Sequence, residues 1–226
     1  VIAKATTSRT KPLVGQTVDT NAFNMSGDFE GQAKKLIPGD VRMISGCADH
    51  QTSADVSNVT QFQLPDPAGQ SGGACTSALL KTLYADHKDT GKDLSFVEVL
   101  LKMRSTLSGG KFSQIPQLSS SRKMDINEKF EIVPSGSTGA RRALLIGINY
   151  VGQQGQLSGC HNDAGNIKDF LMDIHGFKED DITVLMDDGS HQNPTYDNIL
   201  AAFGKLVTQT KAGDCAFLHY SGHGGR

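Results

Sequence analysis

His223 stands in the string Ser221-Gly222-His223-Gly224-Gly225, directly after an apolar run that opens at Cys215-Ala216-Phe217-Leu218. A strand that breaks into this string leaves a histidine at its carboxyl end. The glycines let the backbone turn sharply and approach a ligand closely. In open α/β sheets that edge is where ligands bind. An imidazole changes charge near neutral pH, so a histidine there suits proton transfer. The other reading is a glycine-rich turn that happens to contain histidines. His219, four residues earlier and inside the strand, reads as a packing or hydrogen-bonding residue.

Two carboxylates are the candidates for substrate recognition. Asp163 and Asp55 each follow a predicted strand by a short loop, so both can lie on the same sheet edge as His223. Carboxylates converging on one pocket favour Arg or Lys through charge-assisted hydrogen bonds and repel acidic side chains. Asp163 also fits a helix N-cap, and Asp55 an Asx-turn. Asp49 is the substitute if Asp55 fails.

Four cysteines could in principle supply a thiolate. Cys215 opens the strand that ends at His223, which places it about 25 Å away. Cys75 starts a predicted helix, where a thiolate would be stabilised, but nothing ties it to His223. Cys47 and Cys160 follow strand ends and could reach the same edge. No Cys-x-x-Cys pair suggests zinc. The acidic pairs Asp180-Asp181 and Asp187-Asp188 lack the alternating ligands of a calcium loop and read as solvated termini.

The elements that must position these groups follow from periodicity. Residues 1–38 are polar and read as an exposed, linker-like segment. Val41–Ser45 predicts a strand, Ala74–His87 a helix, and Ser95 with Glu98 a capping box opening a second helix that Gly109-Gly110 ends. Ile126–Val133 predicts a strand. Pro134-Ser-Gly-Ser-Thr-Gly139 has a linker's composition and divides a 39–134 block from a 135–226 block, the two forming one domain together. Ala143–Asn149 is a continuous apolar run, as in a parallel strand buried on both faces. Helix Asn162–His175, strand Ile182–Met186, helix Thr195–Thr210 and strand Asp214–Tyr220 follow. That alternation demands right-handed crossovers and a parallel sheet covered on both faces, with the Val41 strand expected in the same sheet.

Four blocks together resemble the metacaspases, caspase-like cysteine peptidases. His219-Tyr-Ser-Gly-His-Gly-Gly225 resembles their histidine motif. Arg141-Arg-Ala-Leu-Leu-Ile-Gly-Ile-Asn-Tyr150, with Leu157-Ser-Gly-Cys-His-Asn-Asp163, resembles the opening of their large subunit. Ile44–Asp55 and Phe112–Ser121 resemble the opening and end of the small subunit. The small-subunit-like region comes first, as in type III metacaspases or a circular permutation.

The resemblance implies a caspase-like α/β three-layer sandwich with a mostly parallel central sheet. It makes His223 the catalytic base and the Gly222 amide part of the oxyanion hole. Ser221, Asp55 and Asp163 become the pocket for Arg or Lys, and Cys47 and Cys160 belong to pocket loops. For Ser221 a turn serine bonded to its own backbone is the alternative. The family's nucleophile lies in an Asp-x-Cys-His-Ser-Gly motif, a string these 226 residues do not contain. The resemblance thus implies a calcium-dependent, autoprocessing endopeptidase, with the nucleophile and the main Ca2+ ligands in a segment absent here and no metal ligand in this chain. The chain would be inactive alone, its partners being Arg- or Lys-containing substrates and a complementary fragment carrying the cysteine. Lys4, Arg9, Lys11, Lys34 and Lys35 are then candidate processing sites. A different class of protein fits the same residues: a non-catalytic caspase-like module that binds basic peptides or partner proteins.

The bulk numbers agree with such a chain. It has a formal net charge of −2 and a pI near 6.4, so nothing suggests nucleic-acid or membrane-surface binding. Residues 1–10 lack an apolar signal core, and the cysteines are sparse. Both fit a reducing, cytoplasmic location. The start at Val1 reads as a processed or trimmed chain.

Overall fold

A computed structural model describes residues 31, 34–37, 39–64, 71–89 and 94–224. The chain divides into two units at Pro38 and Gly39. Lys4, Arg9 and Lys11 lie outside the described residues, and Lys34 and Lys35 are exposed.

The second unit is organised on three parallel strands, β5 (Arg141–Gly147), β6 (Ile182–Met186) and β7 (Cys215–Ser221). Their order is β6-β5-β7, with β5 central. β5 is apolar throughout its second half because both of its faces are covered. Ala143 and Leu145 point to one side, into a cluster with Ile167, Phe170 and Leu171 of helix α3 (Cys160–His175). Leu144 and Ile146 point to the other, toward Ala202, Ile199 and Phe203 of helix α4 (Tyr196–Gln209). Thr195 caps α4, its hydroxyl accepting from the Asn198 amide at 3.3 Å. The result is the helix–sheet–helix sandwich of a caspase-like α/β fold.

The layer on the α3 side also receives the 39–134 block. Helices α1 (Ala74–Asp89) and α2 (Phe96–Gly109) contribute Ala78, Leu80, Val99 and Met103 to the same core as Leu145 and Phe170. The capping box at Ser95 is formed: the Ser95 hydroxyl accepts from the Glu98 amide, and the Glu98 carboxylate accepts from the Ser95 amide. None of the helices described is long and apolar enough to cross a membrane.

Two expectations are corrected. The strand at Val41 does not join the parallel sheet. As β1 (Arg42–Ser45) it pairs antiparallel with β4 (Gln117–Ser120), in a ribbon of its own. Arg42 and Met43 are exposed and Ile44 and Ser45 only half-buried, so the segment lacks the two-sided apolar run a parallel strand needs. Ile126–Val133 forms no strand. The carbonyls of Ile126 and Glu128 accept from the Val97 and Phe96 amides, the orphan donors at the start of α2. A further antiparallel pair, β2 (Asp55–Val56) and β3 (Gly72–Gly73), sits beside the start of α3 and matters for the site.

Candidate active site

The carboxyl edge of the parallel sheet gathers the chemistry. Gly147 ends β5 opposite Ser221 at the end of β7, and the Ile148 amide extends the ladder by donating to the Ser221 carbonyl at 2.9 Å. The two departing segments, Ile148–Tyr150 and Gly222–His223, therefore run side by side. α3 starts at the same edge. Its first amide, on Cys160, donates to the side-chain oxygen of buried Asn149 at 2.9 Å. A cap from another strand end thus replaces a local one.

His223 is exposed, yet its ring is held. Nε2 lies 2.6 Å from the Gly155 carbonyl oxygen. A carbonyl can only accept, so Nε2 carries the proton and the neutral ring keeps its lone pair on Nδ1. The imidazole also packs against the Tyr150 ring, with centroids 4.7 Å apart at 36°. A base with one nitrogen anchored and the other open is what thiol deprotonation needs. No sequence signal marks Gly155, because its contribution is a backbone oxygen.

Asp163 and Ser221 meet at the same edge. Asp163 is buried in the first turn of α3. It is not the N-cap, a position that Gly159 holds. Its carboxylate accepts from the Gly73 amide at 2.8 Å and from the Ser221 hydroxyl at 2.6 Å. The serine is therefore turned toward the carboxylate rather than its own backbone. Burial pushes the Asp163 carboxyl up to about 6 against the pull of these bonds and of the Thr76 hydroxyl, and the negative Asp55 adds to the rise. Asp55 is the register partner of Gly73, and its carboxylate accepts from the amide and hydroxyl of Ser158 at 2.9 and 3.0 Å. The Asp163 carboxylate thus lies against Gly73 and the Asp55 carboxylate against Ser158. Asp49 is exposed in the turn after β1. Gly73 allows this approach, since a Cβ there would stand 2.5 Å from a carboxylate oxygen of Asp163.

Burial favours the thiol form at Cys75, Cys160 and Cys215. Burial pushes Cys75 up to about 12, with the Asp163 charge adding to it, and burial pushes Cys160 up to about 11 despite the Ser221 hydroxyl. Cys215, at the far end of β7, is also raised by burial, and its Sγ donates to the Ile132 carbonyl at 3.3 Å. The Cys47 Sγ donates to the Gln51 carbonyl at 3.3 Å. A catalytic cysteine needs the opposite environment. His219 is likewise no base. Burial pushes it down to about 4, and its Nε2 is buried without a hydrogen-bond partner.

Asp187 differs from its expected role as a solvated terminus. It follows β6 at the edge where the strand ends meet. One oxygen accepts from the Asn149 amide at 2.8 Å and pairs with His161 Nε2 at 2.6 Å; the other accepts from the Val151 amide at 3.1 Å. Burial works to raise this carboxyl, but the bonds from His161 and the two amides outweigh it and hold it below its ordinary value. Asp187 thereby braces the turn at Tyr150, which adopts a left-handed φ of 54°.

Fold and edge define a caspase-like α/β protein with a histidine and a buried carboxylate at the carboxyl edge of its parallel sheet. The metacaspase peptidase C14 domain family matches residues 141–226, and the caspase domain family matches residues 6–126. The chain is 55% identical over 199 residues to metacaspase III c of Phaeodactylum tricornutum, covering 88% of this chain and 59% of that protein. It is 48% identical over 94 residues to metacaspase-1A of Neurospora crassa, covering 41% of this chain and 21% of that protein. To metacaspase-1B of Aspergillus fumigatus it is 50% identical over 94 residues, 41% of this chain and 23% of that protein. The chain belongs to the metacaspases of the peptidase C14 caspase family. It spans between about a fifth and three fifths of the length of these curated relatives.

Proposed function

We propose that these residues are the base and the substrate pocket of a calcium-dependent cysteine endopeptidase that cleaves after Arg or Lys. Its nucleophile would come from an Asp-x-Cys-His-Ser-Gly segment that is not among these 226 residues, in cis or on a complementary fragment. The observation that carries this reading is the anchored His223 ring, with Nε2 donating to Gly155 and Nδ1 left as the acceptor.

In this mechanism Nδ1 takes the proton of the incoming thiol. The thiolate attacks the scissile carbonyl carbon, a carbon–sulfur bond forms, and the Gly222 amide donates to the oxygen that becomes negative. The C–N bond then breaks as the imidazolium returns its proton to the leaving amine. Water, deprotonated by the same Nδ1, releases the acyl group and the thiol. Asp163 and Asp55 select the cationic side chain. Asp163 is desolvated, so an entering guanidinium or ammonium would favour its charged form strongly. The same charges would disfavour acidic side chains. Protein and peptide substrates, no nucleic acid, and a cytoplasmic location belong to this proposal; all four cysteines are free thiols.

Calcium enters through family membership alone. Among the described residues no group of three or more His, Cys, Asp or Glu could hold a metal ion, and Asp187 is already bonded to three donors. The residues described do not fit a calcium site, and no step above runs through the ion.

Paired reporter peptides test the proposal. A polypeptide supplying the cysteine segment should cleave Arg and Lys reporters, leave Asp reporters intact, and lose the Arg preference in Asp163→Ala. Equal cleavage of Arg and Asp reporters would refute the pocket assignment. Tight binding of Arg peptides without cleavage, with the segment supplied, would instead mark a binding module.

A further inference from the structure

We propose that Tyr150 and Tyr220 are positioning residues for His223, their hydroxyls closing a hydrogen-bond ring through its backbone that holds the imidazole on Gly155. The proposal rests on the reading of His223 as the base and adds two residues to it.

The ring follows from three contacts. The His223 amide donates to the Tyr150 hydroxyl at 3.2 Å. The Tyr220 hydroxyl donates to the His223 carbonyl at 2.9 Å. The two hydroxyl oxygens are 3.3 Å apart. Tyr220 has one proton and gives it to the carbonyl, so the proton between the hydroxyls comes from Tyr150. Each hydroxyl then donates once and accepts once, and both backbone groups of His223 are used. Burial, and then the bond from Tyr150, raise the Tyr220 phenol above its ordinary value, so the donor stays protonated at any working pH.

Two further features fit this device. Gly222 lies inside it: a Cβ there would stand 2.8 Å from the Tyr220 hydroxyl and 3.3 Å from that of Tyr150. Tyr150 keeps a backbone conformation that bulky residues rarely adopt, at φ 54°, with the amides on both sides of it held by Asp187. His223 itself is exposed and has glycine on either side, so its neighbours impose little backbone restraint. The hydrogen-bond ring and the tilted contact with Tyr150 supply that restraint, and the bond from Nε2 to Gly155 can persist only if the backbone is fixed.

The test uses the 226-residue chain and needs no peptidase activity. Long-range proton–nitrogen spectra above pH 8 report the tautomer of each histidine, with His223 assigned by its loss in His223→Gln. Wild-type His223 should show a protonated Nε2 and an unprotonated Nδ1. Tyr150→Phe and Tyr220→Phe keep both rings and remove only the hydroxyls. Each should move the two His223 nitrogens toward the values of mixed tautomers while His161 keeps its own. The His223 amide should exchange about two- to tenfold faster in Tyr150→Phe, the factor for one lost hydrogen bond. Wild-type tautomer values for His223 in either variant would overturn the proposal. Failure of the peptidase reading would leave these spectra unchanged, so the two are separable.

Discussion

Asp163 and Ser221 meet at 2.6 Å, joining the first turn of α3 to the last residue of β7. The contact ties a buried carboxylate to the strand that ends two residues before His223. In the proposed mechanism, recognition and proton transfer are therefore built on one pair of elements.

The buried carboxylate makes stability depend on pH. Its carboxyl is raised from 3.8 to about 6 in the folded chain, mainly by burial. Between those values the folded chain holds a proton that the unfolded chain has lost, so stability should fall as pH rises from 4 to 6. Above pH 6 the full cost applies, roughly 3 kcal/mol at 1.36 kcal/mol per pKa unit. Asp163→Asn can still accept from Gly73 and donate to Ser221. Urea midpoints from pH 4 to 7 should show the variant gaining on the wild type as pH rises. A constant difference would mean that Asp163 is not desolvated.

Gly73 should be coupled to the same carboxylate. Gly73→Ala puts a methyl 2.5 Å from the Asp163 oxygen and should cost about 1–3 kcal/mol. In Asp163→Ala the clash disappears. A double-mutant cycle by urea unfolding should therefore give a double variant less destabilised than the two singles together, and simple additivity would break the proposed contact.

Asp187 should act in the opposite pH direction to Asp163. Its carboxyl is held below its ordinary value, so its contribution is present above the unfolded-state pKa and is lost as pH falls through the folded one. Asp187→Ala should cost about 1–3 kcal/mol at neutral pH through the unpaired Asn149 and Val151 amides. The difference from wild type should shrink in acid, read as thermal unfolding at pH 7 and pH 3. It should also release the strained Tyr150 turn, visible as broadened Tyr150 and His223 resonances.

The apolar runs made the parallel sheet and its covering helices legible in the sequence. Ala143–Ile146 is buried on both faces and Ile182–Met186 faces both core clusters, and such segments have few alternatives. Ser95 announced its helix because cap chemistry is local. The Val41 strand was misplaced because a four-residue segment does not encode its partner. Asp163 and Asp55 were both expected to follow strands of one sheet, but Asp55 opens β2 in a separate ribbon, and the Ser221 and Gly73 bonds that orient Asp163 span 58 and 90 residues. Gly155, Tyr150 and Tyr220 carried no signal: one acts through a carbonyl, and the tyrosines sit in strings that read as strand ends. Asp187 looked like a solvated acid because nothing local reveals that three donors converge on it.

The most direct test compares three proteins on one Arg reporter, with and without calcium: the 226-residue chain, the same chain carrying the Asp-x-Cys-His-Ser-Gly segment, and the latter with His223→Ala. The account predicts no cleavage, calcium-dependent cleavage, and no cleavage. Cleavage by the 226-residue chain alone, abolished by Cys47→Ala or Cys160→Ala, would contradict it, because the nucleophile would then be one of the thiols in this chain.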